Sequence, residues 1–172
     1  MKWLAIAAAL GFLTACSGDS SPTAPSAPPA NIAGSYGTTI TAASTCSANL
    51  PTETRALDFL AEITQTGAAV QVKLIAHVPG VPEVTFSGAV SGQTVNFPNF
   101  SFTQTMGRGA ALAASGNATV GGGANASITG TLSGTYQTAS GASCNAASHQ
   151  LQMVKLCLTP TATGTAMLPC QQ

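Results

Sequence analysis

The chain has 172 residues, of which 6% are charged, and five basic side chains balance five acidic ones. An ordinary soluble domain carries about 25% charged residues; polarity here rests instead on Ser, Thr, Asn and Gln, a wettable surface with little pull on charged partners. The basic residues Lys2, Arg55, Lys73, Arg108 and Lys155 are scattered, and without clustered Lys and Arg to displace counterions from phosphates the composition argues against nucleic-acid binding.

Met1-Lys2-Trp3 makes a short positive start, and residues 4–15 form an apolar run rich in Ala and Leu. About 12 residues are too few to span a hydrocarbon core that needs about 20, so the pattern is that of a secretory signal. The run ends Leu13-Thr14-Ala15-Cys16, which resembles the bacterial lipobox. The resemblance implies cleavage before Cys16, a diacylglycerol thioether on its sulfur and acylation of the new amino group. A single acyl chain binds membranes only marginally, whereas two or three anchor stably. Ser17, not Asp, follows Cys16, which among such lipoproteins implies sorting to the outer membrane. In a host with one membrane the same motif implies its outer face. The alternative is an ordinary cleaved signal with an accidental cysteine.

Residues 17–30 are rich in Pro, Ser and Ala with no bulky apolar side chain. Such a segment builds no core and reads as an extended tether. The predicted division is a signal peptide at 1–15, the lipidated Cys16 and its linker at 16–30, and a single β domain at 31–172.

From Asn31 onward, Gly, Asn and Pro punctuate runs of alternating apolar residues, a strand signature. Leu57, Phe59, Ala61 and Ile63 share one face, with Asp58, Glu62 and Thr64 opposite. Gln65-Thr66-Gly67 is a turn, and Val70, Val72 and Leu74 then alternate with Gln71 and Lys73, completing a hairpin. Val84, Phe86 and Val90 continue to Ser91-Gly92; Val95 and Phe97 follow. Pro98 predicts a bulge or strand end because it lacks a ladder donor, and Phe100 and Phe102 resume beyond it. Residues 110–114, rich in Ala and flanked by Gly107, Gly109 and Gly116, read as a weak strand. Gly121-Gly122-Gly123 reads as a hairpin loop; no helix or Lys-Ser follows it, as a phosphate cradle requires. Ala126, Ile128, Leu132 and Tyr136 share a further face, and residues 151–158 close the set.

Roughly eight strands in meander order predict an all-β fold. An up-and-down antiparallel barrel removes exposed edges and is favoured over a β-sandwich, which has the same strand pattern. Ile32-Ala33-Gly34-Ser35-Tyr36 resembles the Gly-x-Trp opening of lipocalin-like barrels, though without the Trp. With its lipobox and linker, the whole resembles small all-β envelope lipoproteins.

Beyond Cys16, four cysteines remain, Cys46, Cys144, Cys157 and Cys170, an even set for an oxidising compartment. Cys46 follows the first strand and Cys144 is expected to precede the last. If those strands pair antiparallel, both cysteines fall at one end, which favours Cys46–Cys144 and leaves Cys157–Cys170 to pin the C-terminal tail. Zinc is the alternative, but the spacings lack a Cys-x-x-Cys knuckle.

His77, beside Val78-Pro79-Gly80, and His149, at the opening of the last strand, belong to no catalytic motif and read as solvated or structural. Asp58 and Glu62, four apart in a strand, read as solvated carboxylates. Asn117-Ala-Thr and Asn125-Ala-Ser match the glycosylation sequon by chance in an Asn- and Thr-rich chain.

The favoured function is a membrane-anchored envelope lipoprotein whose β domain is non-enzymatic and structural or binding. Its partners are the membrane, through Cys16, and an apolar small molecule or an envelope protein. No cofactor or metal is expected. An interior lined by Phe59, Val72, Phe86 and Phe97 is expected to be filled by its own side chains, because eight strands make a narrow barrel; a cavity of several hundred Å³ would instead indicate a carrier. The alternative is an envelope hydrolase or other enzyme, with His77 or His149 meeting a Ser, Asp or Glu in a cleft.

Overall fold

A computed structural model describes residues 27–76, 83–104, 110–122, 126–138, 140–161 and 164–170. Its strands are β1 Gly34–Thr41, β2 Ala56–Thr66, β3 Ala69–Ala76, β4 Val84–Ser91, β5 Thr94–Gln104, β6 Ala110–Val120, β7 Ser127–Thr138, β8 Ser143–Thr161 and β9 Gly164–Pro169. Two short 3-10 turns, Ser44–Ala48 and Thr52–Thr54, lie between β1 and β2. Every neighbouring pair is antiparallel, and β1 also pairs with β8, from Ser35 opposite Leu156 to Thr41 opposite Gln150. This pairing closes β1 to β8 into an eight-stranded barrel and excludes the sandwich.

Side-chain alternation decides what fills it. On β2, Leu57, Phe59, Ala61 and Ile63 are buried while Asp58, Glu62 and Thr64 are exposed, and on β3 Val70, Val72 and Leu74 are buried. A strand turns every second residue to the same side, so one apolar set lines the interior and the polar set meets water. An apolar interior with a polar exterior is the reverse of a transmembrane barrel, whose apolar band faces outward. The turn joining β2 and β3 is centred on Gly67 and Ala68, with Gly67 at φ +60°, a left-handed conformation that suits glycine.

Two bulges keep the apolar face inward. In β5 the register shifts between Phe97 and Phe100, which face Gly116 and Ala114 of β6. The extra residue lets two side chains three positions apart both point inward, each fully buried. Pro98, which has no N–H, sits in that bulge. In β8, Leu132 of β7 faces His149 but Gly134 faces Ala146. Again one residue is extra, and the buried residues change from Cys144 to His149, Leu151 and Met153. β6 and β7 lie so close that a Cβ on Gly130 or Gly134 would collide with the Asn117 or Ala113 carbonyl oxygen. Glycine there lets the wall bend tightly.

Strand count and boundaries differ from the sequence reading in three places. β8 is 19 residues long, so the expected last strand at 151–158 is its second half. Cys144 and His149 accordingly lie within that strand; neither precedes nor opens it. β8 also runs past β1 and forms a hairpin with β9, a strand the apolar alternation did not announce.

Candidate functional site

The barrel interior, the obvious place for a ligand, is occupied by side chains. Phe86 and Phe100 have ring centroids 4.3 Å apart, Phe59 and Phe102 lie at 5.0 Å, and Phe97 meets Phe86 and Phe100 at 5.7 and 5.9 Å. Tilted and edge-on packing at these separations suits aromatic quadrupoles. Tyr36, Ile40, Val72, Leu74, Leu112, Ile128, Leu132, Tyr136, Leu151 and Met153 are among the other side chains of the buried set. The four residues expected to line the interior, Phe59, Val72, Phe86 and Phe97, are all in it.

Both ends of the barrel are covered by chain. At one end residues 42–55 fold inward, burying Ala42, Ala43, Cys46 and Leu50. The Cys46–Cys144 disulfide, with Cα atoms 5.6 Å apart, ties this segment to β8. The Tyr136 hydroxyl donates to the Thr54 carbonyl, and Arg55 donates to the carbonyls of Leu50 and Ser47. At the other end the segment before β1 crosses over. Ile32 is fully buried; its N–H donates to Gln65 Oε1 at 2.8 Å, and its carbonyl accepts from the Tyr36 hydroxyl at 2.8 Å. Burial pushes the Tyr36 phenol up to about 12. Gln65 Nε2 also donates to the Ala30 carbonyl at 3.0 Å, and the Ala30 N–H donates to the Gly92 carbonyl at 2.8 Å.

Each residue singled out for chemistry has a position in this frame, except those outside the described residues: Cys16, His77 and Asn125. His149 is fully buried, with Nδ1 accepting the Ala43 N–H at 3.1 Å and Nε2 lying 3.0 Å from the Gly134 carbonyl oxygen. A carbonyl only accepts, so Nε2 carries the hydrogen and the ring is the neutral Nε2–H tautomer. Both nitrogens are engaged by backbone, so the ring is structural, as one of the two expected readings had it. The four cysteines form Cys46–Cys144 and Cys157–Cys170, the expected pairing, and their sulfurs are consumed, which removes the zinc alternative.

Asp58 and Glu62 face outward and do not meet as a pair. Asp58 accepts a hydrogen bond from the Thr39 hydroxyl at 2.8 Å, while Glu62 lies 3.9 Å from the Lys73 ammonium. Lys73 also contacts Glu83 at 2.8 Å, and that hydrogen bond holds the Lys73 pKa above its ordinary value. Thr38 carries a buried hydroxyl without a hydrogen-bond partner, pointing inward between Phe59 and Met153 in register.

What sequence reasoning missed is the outer wall that continues from β1 away from these charges. The register aligns Thr39, Gln152, Thr129, Thr119 and Thr94 in one row across five strands. The adjacent row is Thr41, Gln150, Thr131, Asn117 and Asn96, the last two joined by a 2.8 Å side-chain hydrogen bond. These ten side chains are neutral hydrogen-bonding groups on a half- to fully exposed wall. A depression of about 480 Å³, lined by Thr129, Gly130, Thr131, Gln150, Leu151 and Gln152, lies among them. A second, of about 350 Å³, borders Pro98, Asn99, Ser101 and Ser115. Single strands show only alternating Thr, Asn and Gln; the rows exist once five strands are in register.

No family model matches the chain, and no curated protein or solved structure is significantly similar to it.

Proposed function

We propose that this chain is an envelope lipoprotein, acylated at Cys16 and carried to the outer membrane, whose barrel is a non-enzymatic binding or structural body that engages its partner on the outside of its wall. One observation carries the second half of this reading. The interior is packed with aromatic and aliphatic side chains and both ends are covered, so a partner meets the wall and not a cavity. The two neutral polar rows are the part of that wall best suited to a partner recognised by hydrogen bonds without charge, such as an uncharged stretch of an envelope protein. The filled interior supports this reading over an apolar-ligand carrier, and His149, with both ring nitrogens engaged by backbone, is not free to serve the hydrolase alternative as a base.

The test has two arms. Radiolabelled palmitate should enter the wild-type protein and not Cys16→Ala; equal labelling of both removes the anchor. Native protein should then be cross-linked in intact cells and compared with Thr131→Arg/Gln152→Glu, which puts opposite charges on the neutral wall. Loss of the cross-linked partner is expected. A partner retained by that variant, or a lipid recovered from inside the folded barrel, contradicts the assignment.

A further inference from the structure

We infer that the Cys157–Cys170 disulfide is a thiol-exchange site, entered at Cys157 by a dithiol, while Cys46–Cys144 is a permanent structural bond. The inference rests on the export implied by the proposed anchoring, which puts the chain among the thiol–disulfide proteins of an envelope, and makes no use of the polar wall. Burial separates the two bonds. Cys46 is fully buried and Cys144 is 8% exposed, beneath the segment that covers the barrel end. In the other pair Cys170 is 5% exposed, but Cys157 is exposed. A thiolate must reach a sulfur to attack it, and of these four cysteines Cys157 is the one within reach while the protein is folded.

The surroundings of Cys157 favour such an approach. Leu168 lies opposite Cys157 in register, on the same face of the ladder, and is 41% exposed, so that face is open to solvent there. Lys155 is the one charged side chain of β8 and β9. It precedes Cys157 by two residues and so shares its face; neither strand carries a carboxylate to repel an incoming thiolate. The bond also sits where its opening is local. The ladder that closes the barrel joins Ser35–Thr41 to Gln150–Leu156, and β9 pairs with β8 only from Leu156 onward. Breaking Cys157–Cys170 therefore leaves the barrel pairings untouched. The end of β9 is then held by the Cys170 N–H, which donates to the Lys155 carbonyl at 3.1 Å.

The exchange has two steps. A thiolate of the dithiol attacks Cys157 Sγ and forms a new S–S bond; the bond to Cys170 breaks, and Cys170 leaves with the electron pair and takes a proton from water. The second thiol of the dithiol, as thiolate, then attacks its partner's sulfur in the mixed disulfide and releases Cys157, which is protonated in turn. Two electrons pass from the dithiol, which ends as a disulfide, to the cystine, which ends as two thiols. Exposed disulfides are the labile class, whereas buried structural ones resist reduction.

Full-length mature protein is first treated with N-ethylmaleimide without denaturant; modification of Cys16 at this step overturns the anchor and leaves the exchange test standing. The protein is then exposed to dithiothreitol, trapped at intervals with an isotopically heavy maleimide and mapped by peptide mass spectrometry. Cys157 and Cys170 should be labelled about tenfold or more faster than Cys46 and Cys144. Opening of both bonds at similar rates, opening of Cys46–Cys144 first, or no opening before denaturant is added overturns the inference. Entry at Cys157 is read separately with oxidised glutathione. Cys170→Ser should take a glutathione adduct at Cys157 about tenfold faster than Cys157→Ser takes one at Cys170. Equal rates, or the reverse order, overturn the assignment of Cys157 as the sulfur attacked.

Discussion

The backbone N–H of Ala43 donates to Nδ1 of His149 across 106 residues of chain. The other nitrogen of the ring faces the Gly134 carbonyl, beside the bulge that turns His149 inward. One side chain thus joins the segment covering the barrel end to the irregular part of the β7–β8 wall. Replacing His149 by Ala leaves a buried donor and a buried acceptor unpaired and opens a void, at an expected cost of roughly 3–5 kcal/mol. Denaturant unfolding of the variant checks the cost, and the nitrogen chemical shifts of the wild-type ring should report the Nε2–H tautomer.

Thr38 presents the opposite case. Its hydroxyl is buried without a partner, so Thr38→Val, which keeps the shape, should stabilise the protein by roughly 1 kcal/mol. A loss of stability in thermal or denaturant melts would show that the hydroxyl holds a partner, such as an internal water.

The two disulfides differ in the length of chain they close, with sequence separations of 98 and 13. In the chain-entropy account the longer loop is worth about 4.7 kcal/mol and the shorter about 3 kcal/mol. Replacing Cys46 and Cys144 by Ser should therefore lower the melting temperature more than replacing Cys157 and Cys170. The second pair fastens only the projecting hairpin, which widens the difference. Equal losses would mean that the hairpin unfolds together with the barrel.

Tyr36 gives the fold an alkaline limit. Its pKa is pushed from about 10 to about 12 by burial, so the unfolded chain loses the proton first as pH rises. The stability contributed by the neutral phenol is complete below about pH 10 and is lost as pH climbs through about 12. Stability measured across that window should fall for the wild type and fall less for Tyr36→Phe. The variant should start about 1 kcal/mol lower, having lost the hydrogen bond to Ile32. Parallel curves would contradict the assignment.

The parts of the fold legible in the sequence are those written in local periodicity. Leu57, Phe59, Ala61 and Ile63 declare their face by alternation alone, and Pro98 marks its bulge because a missing N–H is visible in one letter. The disulfide pairing is legible because antiparallel closure of the first strand on a strand near the C-terminus brings Cys46 and Cys144 to one end of the barrel. The β8 bulge was not, because the residues around it, Asn145-Ala146-Ala147-Ser148, carry no proline or glycine and their alternation is faint. The role of His149 depends on that bulge and on Ala43, and no short window contains both. The neutral rows on the wall likewise arise from register between strands. β9 escaped notice because its residues at 164–169 add only Ala166, Met167 and Leu168 to the apolar pattern.

The proposed anchoring makes Cys16 the lipid-bearing first residue of the mature protein. Intact-protein and N-terminal peptide mass spectrometry of protein extracted from native membranes tests it most directly. The expected N-terminal peptide begins at Cys16 and carries a diacylglycerol thioether with or without an amide-linked acyl chain. A mature chain that begins elsewhere, or that contains an unmodified Cys16 thiol, would contradict the account.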